Sequence, residues 1–169
     1  MEEYEDPTES LHEKLNEEAK EKQTEKRWSL WVAVSTALIA VIAAITNLFA
    51  SHYSNEALIE QIKASDLWSY YQSKSIKAEI LSHSANPDTV TATRLVNEGQ
   101  AIQTQARERE STSAAELEKH VVLAKAVTLF QIAIAISAIS IVASKRFLWF
   151  IALATAIAGL IFFIQGMAF

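Results

Sequence analysis

Two His–Glu pairs form the one set of side chains in this sequence whose spacing suggests metal chemistry. His52 and Glu56 are four residues apart, as are Glu116 and His120, and residues four apart share a face of a helix. Folding the chain about Asn86 sets residue 52 opposite 120 and residue 56 opposite 116. Imidazole and carboxylate ligands suit Zn²⁺ or Mn²⁺, so the four are a candidate metal site. The plainer alternative is two solvated pairs on separate faces. His12 and His83 have no partner at comparable spacing.

Other chemistry is scarce. No nucleophile, base and orienting group stand in a recognisable pattern, and three glycines leave little room for a phosphate-binding loop. The chain has no Cys, which removes thiolate sites and disulfides. Neither an enzyme nor a cofactor is expected. The net charge of −5 comes largely from residues 1–27, with ten acidic groups against five basic ones, which argues against nucleic acid as a partner.

The most distinctive run is Ala64-Ser65-Asp66-Leu67-Trp68-Ser69-Tyr70-Tyr71-Gln72-Ser73-Lys74-Ser75-Ile76-Lys77. Three large aromatics spread around one helix cannot all face a single neighbour. Asp66, Trp68, Tyr70 and Tyr71 are therefore candidate interaction residues, with Tyr70 the one left for a second copy or another protein; the plainer alternative is that the aromatics fill the core of the hairpin. In this run the chain resembles an uncharacterised bacterial membrane family known only as a domain of unknown function. Its pattern is A-S-D-x-W-x-Y-Y-Q-x-K-S-I-K, and every fixed position is present. The resemblance covers nearly the whole chain and implies one span after a polar tail, a helical segment and two closely spaced C-terminal spans. It implies no activity, cofactor or substrate.

The elements that position these residues follow from three apolar stretches, 28–49, 121–143 and 147–169. Each reaches the roughly 20 residues that cross a hydrocarbon core as a helix. The first follows a long acidic tail (1–27) and has no small-residue cleavage site, so it reads as a retained signal anchor. Ser35, Thr36, Thr46, Asn47, Thr128, Gln131 and Thr155 are the polar groups in the spans, and Lys125 lies near enough to an end to snorkel. Lys20, Lys22, Lys26, Arg27, Lys145 and Arg146 fall on one side, against Lys63, Arg107, Arg109 and Lys119 on the other, which favours a cytoplasmic N-terminus.

Residues 51–120 read as two helical arms around a turn at 84–88, where Pro87 disfavours helix at Asn86 and Asp88 or Thr89 can cap the next helix. Tyr53, Ala57, Glu60, Ala64, Leu67, Tyr71, Lys74, Ala78 and Leu81 follow the 4,3 spacing of a coiled-coil seam. In the second arm Ala92, Leu95, Gly99, Ile102 and Ala106 do the same. That rhythm is then expected to slip, resuming at Ala114, Leu117, Val121 and Ala124 after a stutter, with unwinding over 103–113. Small-residue stripes for helix packing are expected at Ala33, Ala37, Ala40 and Ala44, at Ala133, Ser137 and Ser140, and at Ala152, Ala156 and Gly159.

The sequence thus points to an all-α integral membrane protein. Three transmembrane helices carry a long antiparallel helical hairpin between the first and second, in a bacterial inner membrane. The expected role is structural: self-association in the bilayer into a homo-oligomer that presents the hairpin to a protein partner. The alternative is a subunit of a small homo-oligomeric channel or transporter, with its pore between protomers.

Overall fold

Long uninterrupted helices are what a chain with so few Gly and Pro residues should form. A computed structural model describes residues 7–168, with side chains for 16–168 apart from Glu21; the first six residues of the expected tail lie outside the described residues. The described residues form three helices: α1 (Pro7–Ser82), α2 (Thr89–Val142) and α3 (Arg146–Ala168). All three are long and apolar enough to cross a membrane. The tail, read from sequence as a separate polar segment, is helical from Pro7 onward. Its Glu and Lys residues are good helix formers, and Glu18 and Lys22 pair one turn apart at 3.9 Å.

The two links are tightly built. Between α1 and α2, Asp88 caps α2: its carboxylate accepts the Thr91 N–H at 3.0 Å and its carbonyl accepts the Ala92 N–H at 3.0 Å. The Thr91 bonds hold the Asp88 carboxyl below its usual range. Between α2 and α3, Ser144 adopts a φ of 50°. Its N–H donates to Ile141 O at 3.2 Å, and the Lys145 N–H donates to Ser140 O at 3.1 Å. This is a Schellman stop with serine at the left-handed position that glycine usually fills.

Two units make up the chain. Met1–Ala44 and Val127–Leu160 form the first, Ile45–Ala126 and Ile161–Phe169 the second. In the first, Val32, Ile39, Ala43, Phe130, Ala133 and Ala152 are buried, and the Trp149 indole N–H donates to Ser35 Oγ at 3.1 Å. The Arg146 guanidinium lies over the Trp28 ring, 6.0 Å from its centroid.

In the second unit all nine expected seam positions of α1, from Tyr53 to Leu81, are buried or half-buried. Ala78, Ala92 and Leu95 form a small core with Leu81 against it. Near the end of α3, Gly166 sits so close to Leu123 that a Cβ there would lie 2.7 Å from a Leu123 methyl.

Two expectations need correction. No stutter occurs, and α2 stays helical through 103–113. The 4,3 rhythm continues through Arg109, Ser113, Glu116 and His120 to the buried Leu123, while Ala114, Leu117 and Val121 are exposed. Polar residues keep the register because each finds a partner. Likewise Ala33, Ala37, Ala40 and Ala44 are exposed. The buried line of α1 runs one residue earlier, through Val32, Ile39, Ala43 and Thr46, because Val32 and Ile39 bring more apolar area to the interior than alanine does. Ala133, Ser137, Ser140, Ala152 and Gly159 are buried, and Ala156 is half-buried.

Candidate functional site

The aromatic run lies on α1 where it meets α2 in the second unit, and its side chains divide by direction. Tyr71 lies on the seam, its ring 3.4 Å from where a Cβ of Gly99 would stand. Trp68 packs edge-on to Tyr71 at 5.7 Å, and its indole N–H donates to the Glu110 carboxylate at 2.9 Å. Tyr70 points elsewhere. It is 51% exposed, and the Lys74 ammonium lies 5.2 Å from its ring centroid. Asp66 is exposed and borders a shallow depression with Lys63, Leu67, Gln105, Glu108 and Arg109.

Charged bonds tie the helices together ahead of this run and within it. Glu60, only 4% exposed, accepts from Lys63 Nζ at 2.7 Å and from Arg109 Nη1 at 3.0 Å. The Lys63 bond first, and the Arg109 bond second, hold its carboxyl below the usual glutamate range. Lys74 donates to Glu98, which raises the lysine and lowers the glutamate, and Arg94 lies 3.7 Å from the same carboxylate. Ser113 Oγ donates to Ala57 O at 2.8 Å. In the Glu60–Arg109, Lys74–Glu98 and Ser113–Ala57 pairs, one side chain belongs to the seam of α1 or bonds to its backbone.

The four candidate metal ligands do not assemble. Among the described residues no group of three or more His, Cys, Asp or Glu is placed to hold a metal ion. His120 faces the seam, where its Nδ1 lies 2.8 Å from Ala50 O; a carbonyl only accepts, so Nδ1 carries the proton. Glu116 accepts from Lys119 at 3.2 Å. His52 is exposed and rests against the Tyr53 ring at 5.4 Å. The level of α1 that meets His120 is Ala50, so the mirrored numbering put the wrong residue opposite the histidine.

The bonds of the polar seam were missed in the sequence because a search for apolar periodicity passes over them. The signal was present as a charged, hydroxyl or imidazole side chain at each skipped 4,3 position. Within the apolar stretches, Asn47 and Gln131 are exposed, and the buried Ser137 hydroxyl has no hydrogen-bond partner among the described residues.

No curated protein and no solved structure matches the chain. A family does match, over residues 28–98 and 82–169, which takes in the aromatic run, the polar seam and all three apolar stretches. The chain belongs to the family described as Domain of unknown function (DUF4337).

Proposed function

We propose that this protein is a non-enzymatic structural and interaction protein of the bacterial inner membrane. It spans the bilayer three times with its N-terminus in the cytoplasm, self-associates, and projects residues 51–120 as an antiparallel helical hairpin. The observation that carries this reading is the set of cross-helix bonds, Lys74–Glu98, Trp68–Glu110, Glu60–Arg109 and Ser113–Ala57. They engage successive levels of α1 and α2 and give a slender two-helix element a fixed register. Such an element holds surfaces at a distance from a bilayer. Arms of about 33 residues extend ~50 Å at helical rise.

Trp68 and Tyr71 are spent on α2, which leaves Tyr70 and Asp66 to meet a protein partner. Tyrosine is enriched among residues that dominate binding energy at interfaces. The second reading, a channel subunit with its pore between protomers, draws on the exposed amides of Asn47 and Gln131. Amides facing lipid lack partners, and association of copies would supply them.

The chain lacks Cys, so single Cys variants test the arrangement cleanly. In intact cells, Asn86→Cys should react with a membrane-impermeant thiol reagent and Thr8→Cys should not. Labelling of Thr8→Cys alone would reverse the orientation, and labelling of both sites would remove the spanning topology.

A further inference from the structure

The back of α1, away from α2, carries a second 4,3 pattern that none of the described residues covers. Assigning heptad letters, a falls on Leu48, Asn55, Ile62, Ser69 and Ile76, and d on Ser51, Leu58, Ser65 and Gln72. All nine are exposed; Leu58 is 59% exposed, Ile62 61% and Ile76 61%. None is charged. The seven Asp, Glu and Lys residues of α1 between Ser51 and Ser82 all lie off this line, whereas a solvated face of a surface helix carries charge interspersed.

We propose that the occupant of this line is a second copy of this chain, with α1 packed against α1, parallel and in register. The inference rests on the membrane-anchored, self-associating reading above, and four features single out this partner. Copies in one membrane share one orientation, so their α1 helices can meet only in parallel. Ile at a with Leu at d favours two-stranded parallel coils, and a lone Asn at an a position fixes register by bonding to its own copy; Ile62, Ile76, Leu58 and Asn55 meet these terms.

Flanking positions are also compatible. In a parallel pair each g residue faces the e residue of the following heptad on the other chain. Gln61 then faces Asp66 of the second copy, and Asn47 faces His52, so no like charges meet. Finally, Leu48 to Ile76 extends about 42 Å at helical rise and ~10 Å across. That is about 400 Å² per copy, or about 800 Å² in total. The sum approaches the ~1,000 Å² in total that a specific interface must clear.

Cross-linking of the full chain in lipid nanodiscs tests the contact. Ser65→Cys and Ser69→Cys alter exposed positions by one atom, and Lys77→Cys lies off the line. Disulfides require Cα atoms within ~7 Å. Under mild oxidant the first two should therefore give a dimer band, and Lys77→Cys should give little. Adding Ile62→Glu to Ser65→Cys sets two carboxylates face to face and should remove the band while helicity is retained. Equal cross-linking at all three sites, or preference for Lys77→Cys, overturns the contact while leaving self-association intact. One chain per particle by light scattering overturns both.

Discussion

Arg109 of α2 donates to the Glu60 carboxylate at 3.0 Å, joining two residues 49 positions apart at the least exposed acidic group of the seam. The pair explains how a helix face that reads as polar can still be an interior one. Removing the carboxylate leaves Arg109 and Lys63 facing each other without a counter-charge. Glu60→Gln should lower the thermal midpoint at neutral pH.

The pH dependence has a definite sign. The native Glu60 carboxyl lies below its reference value of 4.5, so the unfolded chain takes up protons first as pH falls. The stabilisation is complete above that reference and is lost as pH drops through the lowered native value. Asp88 and Glu98 act in the same direction. A thermal melt series from neutrality to about pH 3 should show falling midpoints, with a shallower fall in Glu60→Gln. An unchanged slope would remove Glu60 from the account.

Two glycines should respond oppositely to alanine. At Gly166 a Cβ would stand 2.7 Å from the side chain of fully buried Leu123, and overpacking of this kind costs typically ~1–3 kcal/mol. At Gly99 the nearest atom is the Tyr71 ring at 3.4 Å. Gly99→Ala should be neutral or stabilising by up to ~1 kcal/mol through helix propensity. Unfolding of the two variants in the same detergent separates them.

Ser144 holds a left-handed conformation that costs a side-chain-bearing residue roughly 1–2 kcal/mol. Ser144→Gly should recover much of that, and Ser144→Val should worsen it. Both are read as shifts in thermal midpoint. Equal midpoints for the two would mean that the turn does not limit stability.

Much of this architecture was legible from residue types. The α1 seam showed because Ala57, Ala64, Leu67, Tyr71 and Ala78 are apolar at coiled-coil spacing, and the turn showed because Pro87 and Asp88 leave few other conformations. The second half of the α2 seam was hidden. Arg109, Ser113 and His120 look like solvent-facing residues until their acceptors, Glu60 and the carbonyls of Ala57 and Ala50, are in place. The alanine stripe misled for another reason: alanine recurs throughout α1, so its spacing carried less weight than the bulk of Val32 and Ile39. The mirrored His–Glu set failed because numbering about a turn does not define which side chain faces the seam.

The mass of the full chain in lipid nanodiscs tests the proposed self-association most directly. With a chain of 18.8 kDa, light scattering corrected for lipid should give an integral multiple of that mass, with two chains as the smallest unit. A mass of one chain per particle, unchanged as protein is added relative to lipid, would contradict it.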